Sequence, residues 1–167
     1  MNIRIAGTVE DSIVDGPGLR FVVFVQGCPH HCEGCHNPET HDFSAGKLTT
    51  TDALYEMCME NPLCSGVTFS GGEPFCQLKA LYELGSRFKD AGKHLMCYSG
   101  WTFEELLKKS GREEYVGKLL SILDVLVDGR FDISKRSLSL LFRGSSNQRL
   151  IDVPASLTNG EAVELPE

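Results

Sequence analysis

Three cysteines, Cys28, Cys32 and Cys35, stand within the run Gly27-Cys28-Pro29-His30-His31-Cys32-Glu33-Gly34-Cys35-His36-Asn37-Pro38. Soft thiolates crowded on one loop favour zinc or an iron–sulfur cluster. A [4Fe–4S] cluster ordinarily takes four cysteine ligands, so three from one loop leave one iron open to an outside molecule. Spacing alone leaves two other readings open. One of His30, His31, His36 and His41 could complete a zinc site of three cysteines and one histidine, or Cys64 or Cys76 could close the cluster with a fourth thiolate. The chain holds seven cysteines, an odd number that points to metal or redox chemistry in a reducing compartment rather than to a disulfide framework.

A second constellation is Gly71-Gly72-Glu73-Pro74. Glycines at the end of a strand let a ligand approach the backbone, and Glu73 offers an acceptor for an ammonium group. A plain strand-to-helix turn explains the same residues when they are taken alone.

These groups need elements to position them. Residues 3–9 and 20–26 read as strands, the second a continuous apolar run of the kind found where both faces of a sheet are covered. Asp15-Gly16-Pro17-Gly18 is a turn between them. Thr49 and Asp52 predict a helix start, with Leu54, Met57 and Cys58 on one face and a stop at Asn61-Pro62. Residues 66–70 and His94–Tyr98 read as strands. Leu78, Leu81, Leu84 and Phe88 mark a helix between them that ends at Gly92. Thr102 with Glu105 starts another helix, interrupted at Ser110-Gly111, and Leu123–Val127 is a further strand. Helices alternating with short apolar strands predict an α/β fold with a mainly parallel sheet. In such a sheet the segments Cys28–Cys35, Gly71–Pro74, Tyr98–Gly100 and Asp128–Arg130 all meet at the carboxyl-end face, where α/β sheets bind their ligands.

With 167 residues the chain is too short for a closed eight-fold barrel, which takes roughly 250. A domain over 1–153 and a weakly structured tail over 154–167 are expected, because Pro154, Asn159-Gly160 and Pro166 break any pattern there. Sixteen Lys and Arg against twenty-three Asp and Glu give a net charge of −7, which argues against sequence-independent binding to nucleic acid. No apolar run approaches the ~20 residues of a membrane span, and the N-terminus lacks a signal-peptide pattern, so a cytoplasmic location is the default expectation. Cys58 and Cys97 read as packed small hydrophobes, and Trp101 as a residue packed beneath the Ser99-Gly100 turn.

The cysteine spacing together with Gly71-Gly72-Glu73-Pro74 resembles the radical S-adenosylmethionine superfamily. Asp15-Gly16-Pro17-Gly18-Leu19-Arg20 and Cys35-His36-Asn37-Pro38 resemble its glycyl-radical activase branch. Leu126–Phe131 and Phe142–Arg149 are similar to the activases of anaerobic ribonucleoside-triphosphate reductase, and the likeness runs from about residue 3 to 153. That resemblance implies a partial, open (β/α) barrel. It implies a [4Fe–4S] cluster on Cys28, Cys32 and Cys35, with S-adenosylmethionine contacted by Gly34, Cys35, His36, Gly71, Gly72 and Glu73, and also by Ser99 and Asp128. Reductive cleavage of S-adenosylmethionine to a 5′-deoxyadenosyl radical would then take hydrogen from a backbone glycine of the reductase catalytic subunit. Electrons would come from a flavodoxin- or ferredoxin-type donor. Many superfamily members carry an aromatic residue before the third cysteine, whereas this chain has Gly34, which leaves His36 as the neighbour of the adenine.

Overall fold

The computed structural model describes residues 1–166. Its elements are β1 (Asn2–Ser12), β2 (Arg20–Val25), β3 (Lys47–Thr50), α1 (Thr51–Met59), β4 (Gly66–Gly71), α2 (Leu78–Asp90), β5 (His94–Tyr98), α3 (Phe103–Ser110), α4 (Glu114–Ile122), β6 (Val125–Asp128), β7 (Arg149–Asp152) and α5 (Val153–Asn159). One seven-stranded sheet has the order β3-β1-β2-β4-β5-β6-β7. Its centre, β2-β4-β5-β6, is parallel, and β1 and β7 pair antiparallel at either side. The sheet is open, with β3 and β7 at its two edges. The expected α/β partial barrel is what the chain forms.

Alternation along the central strands divides the sheet into two faces. Phe21, Val23, Val25, Val67, Phe69, Leu95, Cys97 and Leu126 join the main core together with Leu81, Leu84, Phe88, Leu106 and Leu119 from the helices. The intervening residues Met96, Val125 and Val127 form a second, smaller cluster with Leu150, against which Tyr98 and Phe142 pack. Burying each large apolar side chain contributes roughly 1.5–3 kcal/mol, so the helical layer is what holds the sheet. The other face is left for a cavity.

Local signals set the helix limits. Thr50, one residue beyond the expected Thr49, caps α1 by accepting from the Ala53 amide at 3.1 Å. Thr102 and Glu105 form a full capping box on α3, and α3 ends at Ser110 as the glycine after it predicts. β6 starts at Val125 because Asp124 turns aside, accepting from the Leu95 amide and from Lys89.

The tail departs from expectation. Asp152 caps α5 by accepting from the Ala155 amide, Pro154 occupies its first turn, and Gly160 closes it at φ 79°. Residues that look like breakers are here the start and stop of a short helix. Buried Val153 and Ser156 anchor it, and Glu164 bridges to Ile151 beside β7. The strands β3 and β7 are likewise absent from the expectation. Both are four-residue edge strands, too short to show a period.

Candidate functional site

The loops after β2, β4, β5 and β6 converge on a cavity of about 500 Å³. Cys28, Cys32 and Cys35 line it together with His36, Gly71, Gly72, Ser99 and Gly129. That volume falls within the range of small-molecule and cofactor pockets.

The cysteine loop is fastened at both ends. Gly27 N donates to Thr40 O at 2.7 Å and Cys28 N to His41 O at 3.1 Å, while the buried Gln26 side chain donates to Glu39 O and Asp42 O. Within it, Cys35 N donates to Cys32 O and Asn37 N to the Cys35 thiol. The loop then crosses the turn after β4, with Glu73 N donating to Gly27 O at 2.8 Å and Gly72 N to Val25 O at 2.9 Å. A Cβ on Gly72 would collide with the Gly27 carbonyl, and Gly71 holds a φ of 94°. The two glycines are therefore required by the crossing of two protein backbones as well as by any ligand.

Glu73 is 1% exposed and does not line the cavity. Its Oε1 accepts from His30 Nε2 at 2.7 Å, Gly100 N at 2.7 Å and Ser99 Oγ at 3.0 Å, and its Oε2 from Phe75 N at 2.9 Å. The expected ammonium acceptor is occupied by the protein's own donors. Asp128 departs from expectation in the same way. It is buried, accepting from Phe103 N and from the Arg149 guanidinium at 2.6 and 3.0 Å, and it too stands outside the cavity wall. Gly34, at φ 74°, packs against Ile133 and Phe131 outside that wall. His36 tilts against Phe131 with ring centroids 5.0 Å apart. Of the expected contacts, Cys35, His36, Gly71, Gly72 and Ser99 reach the cavity.

Of the alternative ligands, His30, His36 and His41 line the same cavity as the three cysteines, whereas His31, Cys64 and Cys76 stand outside its wall. Cys64 precedes β4, at the sheet end away from the cluster loop, and its sulfur lies 3.8 Å from that of buried Cys58. Cys76 sits on the short helix Pro74–Cys76, outside the cavity wall. His30 is engaged by Glu73, and His31 stacks edge-on against His41. Among the described residues no three Cys, His, Asp or Glu side chains converge as the ligands of one ion would. The thiolates of a cubane bind separate irons and need no such convergence. Burial pushes the Cys28 and Cys32 thiols up, with amide hydrogen bonds opposing it. Bound metal reverses that balance, since a coordinating thiol is deprotonated. The soft donors, the flanking glycines and the cavity beside them fit an iron–sulfur cluster with an open side.

Two segments marked by the family resemblance, the turn before β2 and the stretch 142–149, also reach the cavity. Asp15 reaches the cavity because its loop folds over the inner sheet face, where Thr68 Oγ1 donates to Asp15 O at 2.8 Å. Arg20, fully buried, secures that loop by donating to Pro17 O, Thr68 Oγ1 and Val67 O, each at 2.8 Å. The segment Phe142–Arg149 also gains a physical role. Gln148 Oε1 accepts from the Gly144 and Ser145 amides while its Nε2 donates to Gly129 O, which ties a hairpin at 136–145 to the turn after β6. Trp101 stays out of the cavity, edge-on to His30 with centroids 4.7 Å apart.

The open α/β sheet, parallel across its centre, carries a three-cysteine loop at the carboxyl ends of its strands, and together with its relatives this makes the chain a radical S-adenosylmethionine enzyme of the glycyl-radical activating class. The family model of the 4Fe-4S single cluster domain matches residues 14–151. A relative from Vibrio cholerae, an anaerobic ribonucleoside-triphosphate reductase-activating protein, is 33% identical over 81% of this chain and 89% of its own length. The chain belongs to that family of activating proteins. A pyruvate formate-lyase-activating enzyme from Clostridium pasteurianum is 39% identical over 63% of this chain but only 48% of its own length. The solved structure of QueE from Escherichia coli shares the fold at a TM-score of 0.50 and 17% identity, over 61% of this chain and 54% of QueE. No helix among the described residues is long and apolar enough to cross a membrane.

Proposed function

We propose that Cys28, Cys32 and Cys35 hold one [4Fe–4S] cluster by three thiolates, and that S-adenosylmethionine occupies the cavity beside it. With both bound, the cluster supplies the electron that splits S-adenosylmethionine into methionine and a 5′-deoxyadenosyl radical, which takes a hydrogen atom from a backbone glycine of the anaerobic ribonucleoside-triphosphate reductase. The observation that carries this reading is the cavity wall itself: all three cysteines share it with Gly71, Gly72, Ser99 and Gly129, at the ends of four parallel strands.

The chain's own part is placement and shielding. Gly71 and Gly72 offer bare backbone to the bound molecule, and His36 and Ser99 offer polar edges from either side of it. Glu73 and Asp128 act from behind the wall. Glu73 holds the Ser99-Gly100 turn against the cysteine loop, and Asp128 holds the start of α3 against Arg149. Apolar Phe24 and Phe142 keep water from the reacting centre. Correspondence over 81% of this chain and 89% of the Vibrio cholerae reductase activase, against 63% and 48% for the pyruvate formate-lyase enzyme, favours the reductase as target. The electron donor in this proposal is of the flavodoxin or ferredoxin type, and a reducing, cytoplasmic setting suits the seven free thiols.

The test is anaerobic reconstitution with iron and sulfide, then reduction with S-adenosylmethionine, with and without the reductase catalytic subunit. Formation of 5′-deoxyadenosine and a glycyl radical on the subunit by electron paramagnetic resonance are expected. Zinc at one per chain with no cluster would overturn the proposal.

A further inference from the structure

The hairpin at 136–145 has two sides. Leu140 and Phe142 line the cavity, whereas Leu138 is 88% exposed and Leu141 51% exposed. Ile133, at the hairpin's foot, and Ile13 and Val14, just before cavity-lining Asp15, are also exposed. Large apolar side chains gathered at the mouth of a cavity mark an interaction surface. Charge distinguishes the same segment. From Ile133 through the hairpin to residue 145 the chain holds Lys135, Arg136 and Arg143 and no acidic side chain, although its overall net charge is −7.

The hairpin is also held in shape before anything binds. Arg136 bridges to Ser145, Ser137 N donates to Gly144 O, Tyr98 Oη donates to Phe142 O at 2.7 Å, and Gln148 clamps the base. A rigid lip loses little freedom on docking, which favours affinity.

We propose that this lip docks an extended polypeptide segment bearing apolar and acidic side chains, the stretch that carries the reacting glycine of the partner protein. The inference rests on the function proposed above. A glycine can enter the cavity only as part of a chain whose flanking residues stay outside. Those flanks meet Leu138 and Leu141 as apolar anchors, with Lys135 and Arg136 pairing with carboxylates. A small-molecule substrate lies wholly within the cavity and has no flanks to meet the outer side of the hairpin.

The experiment uses the reconstituted full chain, the reductase catalytic subunit and two variants, L138D/L141D and K135E/R136E. Sedimentation velocity measures binding to the subunit, electron paramagnetic resonance the subunit concentration for half-maximal radical, and chromatography the 5′-deoxyadenosine formed without the subunit. Both variants are expected to weaken binding and raise the half-maximal concentration by about tenfold or more while leaving cleavage without the subunit unchanged. Raising salt narrows the gap between K135E/R136E and the parent. Binding equal to the parent in both variants overturns the inference, as does an equal loss of uncoupled cleavage. A parent protein that cleaves S-adenosylmethionine and binds the subunit but lays no radical on it refutes the proposed target instead.

Discussion

His30 Nε2 lies 2.7 Å from Glu73 Oε1, and this contact joins the loop of the three cysteines to the turn after β4. The same carboxylate takes the Ser99 hydroxyl and the Gly100 amide from the turn after β5. One side chain therefore sets the spacing of three loops around the cavity. A carboxylate can only accept, so every donor it meets is satisfied and none competes with another.

Replacing that acceptor tests the arrangement. Glu73→Gln puts an amide N–H against one of four protein donors, a loss of about 1–3 kcal/mol. Urea unfolding of the metal-free protein should show it, together with faster amide exchange over 27–41. An unchanged midpoint and unchanged exchange would mean that the loops are set by other contacts.

Cysteine substitutions should separate the two groups of thiols. Single alanines at Cys28, Cys32 or Cys35 are expected to lower bound iron and sulfide by about tenfold after anaerobic reconstitution, because each removes one of three ligands. Alanines at Cys64, Cys76 or Cys97 should leave the iron content near the parent value. Loss of the cluster in Cys76→Ala would identify a fourth ligand and close the open iron.

Arg20 offers a test of the turn beneath the cavity. Its planar guanidinium reaches three differently placed acceptors, which a lysine ammonium cannot do at once. Arg20→Lys leaves buried carbonyls unpaired and should cost about 2–3 kcal/mol, with increased exchange over 13–19. Equal stability would mean that the Asp15 turn is held without it.

Alkaline stability should report on Cys58. Burial, and then the neighbouring Cys64, push its thiol up from the ordinary value of 9.0. A raised folded value leaves stability intact below the unfolded value and removes it as pH rises from there towards the folded one, because the unfolded chain releases its proton first. The loss approaches about 1.4 kcal/mol per pH unit for one such thiol. Urea midpoints of the reduced, metal-free parent should fall more steeply from pH 8.5 to 10 than those of C58A/C64A, and parallel curves would refute the assignment.

Local chemistry was legible in the chain before any fold was known. Three thiols on one loop, two glycines closing a strand and a Thr-Glu box ahead of an apolar stripe act over a few residues, and short-range order preserves such relationships. The alternation of strands and helices was enough to place four loops at one end of a parallel sheet, since each crossover returns the chain to the same edge. The punctuation of α5 misled, because Pro154 and Gly160 mark a helix's ends as readily as its absence.

What a carboxylate faces depends on groups distant in the chain, and that only the tertiary structure decided. Glu73 is reached by donors 26, 27 and 43 positions away, and Asp128 by Arg149 and the Phe103 amide. In this structure both brace the cavity wall from behind, whereas the family resemblance implies that both contact S-adenosylmethionine. Arg20 closes the Asp15–Arg20 motif and opens β2 in the sequence, but its bracing role follows only from folding, which encloses it among carbonyls of three separate segments. Residue type and spacing determine which atoms can bind a cluster, while packing determines which polar atoms remain unoccupied to bind anything else.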